Sequence, residues 1–139
     1  MSDAETIDIL LVEDNPNDAE LAQRALRKAN LGARLAIARD GAEALEYLFN
    51  NRPRPKVIFL DLKLPKIDGV EVLRRVRSDD RARSIPVVVL TSSQEEKDIS
   101  ECYRLGVNSY VVKPVEFDKF YKAIGELAAY WLVLNKSPL

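Results

Sequence analysis

Val57-Ile58-Phe59-Leu60-Asp61-Leu62-Lys63-Leu64-Pro65 is the stretch that decides the fold. Its first four residues are apolar, two of them β-branched, and leave no polar position for a solvated face. A strand of that kind is buried on both sides, the habit of a parallel sheet covered by helices. It ends at an acid. Asp68-Gly69 then opens a helix with Val70, Leu73 and Val76 at helical spacing.

The same unit recurs in both directions. Upstream, Ile7–Val12 reads as a strand, and Asn15-Pro16-Asn17-Asp18 supplies a capping residue, a proline at the first helical position and an acid in the first turn. The helix carries Ala22, Ala25, Leu26 and Ala29 and is expected to stop at Gly32. Leu35–Ala38 is the next strand, followed by a helix capped by Asp40 with Ala42, Leu45, Leu48 and Phe49 on one face, then a loop over Asn50–Pro55. Downstream, Pro86–Leu90 is a strand, and Ser93 is expected to cap a helix bearing Ile99, Cys102 and Tyr103 that stops at Gly106. Ser109–Val112 is the last strand. The last helix starts near Glu116 and passes through Phe117, Phe120, Tyr121, Ile124, Ala128 and Trp131. Five strands alternating with five helices predict a doubly wound α/β domain.

The whole chain agrees. Its 139 residues suit one domain, and 47% hydrophobic with 31% charged residues is an ordinary globular balance. Lys and Arg number 21 against 22 Asp and Glu, so the net charge of −1 argues against nucleic-acid binding. The single cysteine, Cys102, excludes an internal disulfide, fits a reducing cytoplasm and reads as a packing residue. There is no histidine. That excludes Ser-His-Asp and Cys-His nucleophile systems, histidine-ligated metals, and a role as a histidine kinase or phosphohistidine carrier. The acidic start Met1–Asn15 lacks a signal-peptide layout. The longest apolar run, Leu127–Leu134, falls far short of the ~20 residues that span a bilayer. Arg74–Arg81 mixes signs and reads as a solvated face.

In an open sheet of this kind the site lies beyond the carboxyl ends of the strands. Glu13-Asp14, Asp61, Thr91 and Lys113-Pro114 stand there, while Arg39-Asp40 is not assigned to the site. Taken singly, each is an ordinary cap or turn residue. Together they form a chemical set. Three clustered carboxylates repel unless a cation intervenes, and an all-oxygen set suits Mg²⁺. Lys113 is a point charge for a phosphoryl oxygen, and the Thr91 hydroxyl donates to another. Phosphoryl transfer is mostly positioning and charge neutralisation. The nucleophile is then a carboxylate, and Asp61, on the central strand, is the best candidate.

With these residues in view, the chain resembles the receiver domains of two-component response regulators. The matching motifs are Glu13-Asp14, Asp61-Leu62-Lys63-Leu64-Pro65 with Asp68-Gly69, Thr91-Ser92-Ser93, Tyr110 and Lys113-Pro114. The resemblance implies a flavodoxin-like (βα)5 sheet of strand order 2-1-3-4-5. It implies that Asp61 accepts a phosphoryl group from a phosphohistidine on a partner sensor histidine kinase. Asp14, Asp61 and the Lys63 backbone carbonyl would bind Mg²⁺ (or Mn²⁺), with Glu13 acting mainly through water. Thr91 and Lys113 would hold phosphoryl oxygens, and Tyr110 would be the aromatic that turns inward with Thr91. Lys113-Pro114 would be a cis peptide. Lys63 stands at a position that is variable in the family and influences self-dephosphorylation. Asn15-Pro16-Asn17-Asp18, Thr91–Glu96, Leu105–Tyr110 and Trp131-Leu132 are similar to single-domain regulators that partner bacterial and cyanobacterial phytochrome kinases.

After the last helix only Asn135–Leu139 remains, so no output domain is expected. The signal must leave by protein contact or as the phosphoryl group itself, along a phosphorelay. Nearly every position from Leu127 to Leu134 is apolar, more than one core-facing stripe needs. The surplus of Tyr130, Trp131, Val133 and Leu134 predicts a symmetric homodimer or a partner groove. The competing expectation is a tail folded back on its own sheet. Other readings are weaker. A phosphorylation-independent adaptor would lack one of the site residues. A phosphatase of the haloacid dehalogenase type wants an acid where Lys63 stands. The five glycines form no phosphate-binding loop for a nucleotide or flavin.

Overall fold

The computed structural model describes residues 7–50 and 53–137. Residues 51 and 52 of the expected loop, the first six residues of the acidic start and the last two of the tail lie outside them. The elements run β1 (Ile9–Val12), α1 (Pro16–Ala29), β2 (Leu35–Ala38), α2 (Gly41–Phe49), β3 (Val57–Leu60), α3 (Gly69–Ser78), β4 (Val87–Thr91), α4 (Glu96–Arg104), β5 (Ser109–Val112) and α5 (Phe117–Ala129), with a π-helical turn over Tyr130–Leu134. All strands are parallel, in the order β2-β1-β3-β4-β5, as expected.

Side-chain alternation explains why the central strands are apolar without interruption. Ile9, Leu11, Val57, Phe59, Val88 and Leu90 enter the core under α1 and α5, with Ala22, Leu26, Phe120 and Ile124. Leu10, Val12, Ile58, Leu60, Val87 and Val89 enter the core on the other face, with Leu45, Leu48, Val72, Leu73, Val76 and Cys102. Each central strand is fully buried, whereas β2 and β5, at the edges, are mostly half-buried.

Local chemistry sets most of the ends. The Asn15 side chain accepts from the backbone N–H groups of Asn17 and Asp18 at the start of α1. Asp40 caps α2 and Asp68 caps α3, each accepting an N–H three residues on. Four expectations need correction. α1 ends at Asn30, itself left-handed at φ 56°, before Gly32 is reached. β1 starts at Ile9: the Asp8 backbone still bonds to Arg34 O and to the Lys56 N–H at the end of the sheet, where its carboxylate accepts the Arg34 N–H and pairs with Lys56. α4 starts at Glu96 with no side-chain cap at Glu95, because the Ser93 hydroxyl lies in the preceding loop, where it accepts the Glu95 N–H at 3.3 Å and donates to Asp98 at 2.6 Å. Finally, Arg77 leaves the charged face. Its guanidinium is drawn inward and donates to the carbonyls of Gly106 and Ile85 and to the Asn108 side chain, and burial lowers its pKa.

Candidate functional site

Strand register builds the site. Val12 lies opposite Leu60, so Glu13 and Asp61 leave adjacent strands side by side. The ladder continues past the strand ends, with the Asp61 N–H donating to Val12 O and the Lys113 N–H to Thr91 O. Thr91 lies opposite Val112, which brings Lys113 to the same rim.

The expected acids converge. Glu13, Asp14 and Asp61 offer carboxylate oxygens within 4.8 Å of one another. Glu13 and Asp61 are buried and Asp14 is exposed. Burial pushes the Glu13 carboxyl up to about 7, against the opposing pull of the Lys113 ammonium. This donor set fits a hard divalent cation, since it is all oxygen, partly desolvated and in excess of the positive charge beside it.

Lys113 is the hub. Its ammonium lies 2.8 Å from Glu13 Oε1, 2.9 Å from Asp18 Oδ2 and 3.0 Å from Asp61 Oδ2. Burial alone would lower its pKa. The bonds to Glu13 and Asp18 and the charges of Asp61 and Glu13 outweigh that and hold it above its ordinary value. Asp18 is the site residue that sequence reasoning missed, having been read only as an acid in a helix's first turn. The available signal was its place one turn past Asn15, on the same rim as Glu13.

The remaining candidates take clear positions. Thr91 is fully buried, and its hydroxyl oxygen accepts from the Ser93 N–H at 3.4 Å. That bond uses a lone pair, so the hydroxyl proton can still donate. The Lys63 N–H points to Asp61 Oδ1 at 3.4 Å, and the residue is exposed. Tyr110 packs against the α2–α4 core and its hydroxyl donates to Ser93 O at 2.9 Å, so the aromatic faces inward. Asp40, left out of the site, caps α2 and pairs with Lys66 at 3.4 Å.

The expected cis peptide is not found: the Lys113–Pro114 bond is trans, as are all peptide bonds among the described residues. Trans is the lower-energy isomer even before proline, and the lysine reaches all three acids from it. The expected apolar surface divides. Trp131, with Leu132, packs half-buried against the α1–α5 core, as the fold-back expectation had it. Tyr130, Val133 and Leu134 remain exposed at 47%, 64% and 73%.

Comparison with known proteins agrees with this geometry. The response regulator receiver domain matches residues 9–125. The probable methanogenesis regulatory protein FilR2 of Methanothrix harundinacea is 43% identical over 94% of this chain and 86% of its own length. Response regulator Rcp1 of Synechocystis is 40% identical over 89% of this chain and 88% of its own. A crystal structure of its Mn²⁺-bound form superposes with a TM-score of 0.90 at 38% identity, covering 96% and 99% of the two chains. The phosphorylated cyanobacterial phytochrome response regulator RcpA superposes with a TM-score of 0.91 at 39% identity, with the same coverage. The family match spans most of the chain and the sheet superposes on these relatives over nearly its whole length, so the chain belongs to the response regulator receiver domain family.

Proposed function

We propose that Asp61 accepts a phosphoryl group from a phosphohistidine of a partner histidine kinase and that this chain works as a single receiver domain. The observation that carries the reading is the Asp61 carboxylate, 7% exposed, beside two further acids and 3.0 Å from the Lys113 ammonium. An Asp61 oxygen attacks phosphorus. The P–N bond to the kinase imidazole breaks as the O–P bond forms, and the imidazole leaves with the electron pair and takes a proton from solvent. Lys113 holds one phosphoryl oxygen and Thr91 donates to another. Glu13, Asp14, Asp61 and the Lys63 carbonyl are the residues that would hold Mg²⁺ (or Mn²⁺), which supplies charge neutralisation to the transferring group.

Receiver domains are signalling proteins phosphorylated by histidine kinases. The similarity to RcpA, a cyanobacterial phytochrome response regulator, and to the Mn²⁺-bound form of Rcp1 supports a phytochrome-type kinase as partner and a divalent metal at this site. FilR2's name ties a similar chain to methanogenesis, so phosphotransfer from a panel of kinases is the assay that assigns the input. The exposed Tyr130, Val133 and Leu134 support output through a second copy of the chain. The net charge of −1 and the absence of a membrane-spanning helix among the described residues support a cytoplasmic protein that binds neither nucleic acid nor membrane.

Intact mass after incubation with acetyl phosphate tests the central step. A Mg²⁺-dependent gain of one phosphoryl group is expected, and none in Asp61→Asn. A gain that persists in the variant, or no gain in the folded wild type with Mg²⁺, overturns the reading.

A further inference from the structure

An ammonium group carries three N–H donors in a tripod. Lys113 spends one on each of three carboxylates, Glu13, Asp18 and Asp61, and its side chain is only 11% exposed. Asp18 stands apart from the other two. It is not one of the three acids whose oxygens come together for a cation. Its carboxylate is not needed to cap α1 either, because the Asn15 side chain already accepts the Asn17 and Asp18 N–H groups. The backbone of α1 therefore fixes Asp18, and Asp18 in turn holds a flexible four-carbon lysine that follows the edge strand β5, ninety-five residues later.

We propose that Asp18 is a positioning residue for phosphoryl transfer. With Glu13 it fixes two of the three Lys113 N–H bonds, so the third is held on Asp61. That third bond passes to a phosphoryl oxygen without the lysine having to reorient. The inference rests on the reading of Asp61 as phosphoacceptor. It assigns the effect to the acceptor oxygen of Asp18 and not to its charge. Asp18→Asn keeps such an oxygen and Asp18→Ala removes it, so the two variants separate the causes.

Two measurements test this. In the metal-free protein at low temperature, a ¹⁵N–¹H correlation spectrum reads whether the Lys113 ammonium is anchored. Its protons should be protected from exchange in wild type and Asp18→Asn and lost from the spectrum in Asp18→Ala. With Mg²⁺ and acetyl phosphate, Asp18→Ala should lower the maximal phosphorylation rate about tenfold, the weight of one hydrogen bond to a charged group. KM for the donor should not change, and Asp18→Asn should stay within about threefold of wild type. Mn²⁺ affinity and the urea midpoint should be the same in all three. The proposal is overturned if Asp18→Ala is phosphorylated as fast as wild type, if Asp18→Asn falls as far as Asp18→Ala, or if Mn²⁺ affinity falls in parallel with the rate. If wild type takes no phosphoryl group at all, the Asp61 reading fails, and the ammonium spectrum still decides whether Asp18 anchors the lysine.

Discussion

Glu13 is where burial and charge oppose each other most directly. Its carboxyl is raised from 4.5 to about 7 by burial in the folded chain. Between those values the folded state binds more protons than the unfolded one, so this group removes stability as pH rises through the window. The size is about 3 kcal/mol at 1.36 kcal/mol per pH unit. Urea unfolding in chelator should therefore show a metal-free protein less stable at pH 8 than at pH 5. Glu13→Gln should flatten that slope, and a slope as steep in the variant would contradict the account. A bound cation favours the charged form, so Mg²⁺ affinity should rise with pH up to about 7. Glu13, Asp14, Asp61, Thr91 and Lys113 were legible because each follows a recognisable strand. Asp18 and Arg77 were not, because their roles come from partners brought close by the fold, Lys113 in one case and Asn108 with three carbonyls in the other. A helix-start acid and an arginine in a charge run carry no local mark of such partners.

At the scale of elements, the β3–α3 loop that follows Asp61 is docked on the start of α2. The Gly41 N–H reaches Pro65 O, and Lys66, left-handed at φ 67°, pairs with Asp40. A Cβ on Gly41 would sit 1.8 Å from Ile67 O, an impossible contact that only a shift of the loop backbone relieves. Gly41→Ala should cost about 1–3 kcal/mol in urea unfolding and should also slow phosphorylation by acetyl phosphate, because the loop carrying Lys63 moves with it. Wild-type stability in this variant would show that the loop gives way freely. The strands were legible because burial on both faces leaves an unbroken apolar run that no amphipathic element shows. Helices capped by Asn15, Asp40 and Asp68 were legible because the capping side chain is local. The start of α4 was not. Ser93 has the right side chain for a cap, and its partner is the carboxylate of Asp98. The serine oxygen accepts the Glu95 N–H while its proton goes to Asp98, so it bonds ahead of the first turn of α4, and the sequence does not say which N–H a serine takes.

At the scale of the molecule, two cores share one sheet, and the tail is attached to only one of them. Trp131 and Leu132 extend the α1–α5 core while Tyr130, Val133 and Leu134 face outward. Light scattering after gel filtration should give twice the chain mass for wild type. Val133→Ser with Leu134→Ser should give the single-chain mass with phosphorylation unchanged, since neither residue is near Asp61 in the sheet. A wild-type monomer at high concentration, phosphorylated or not, would remove the dimer from the proposed function. An apolar octad announces that a surplus exists. Which of its members turn inward depends on the helical phase at the end of α5, and the sequence pattern does not carry that phase.

The phase is altered by the π turn, in which the Asn135 N–H reaches back five residues to Tyr130 O at 2.7 Å. One residue of α-helix corresponds to about 100° of rotation. An engineer grafting a reporter helix onto this end must therefore count from the π turn and not from α5. A graft phased on uninterrupted α-helix would aim its cargo at the wrong side of the protein. A one-residue deletion in the last turn of α5 would act like a frameshift in three dimensions, moving Trp131 from its sheltered place to the one that Tyr130 takes on display.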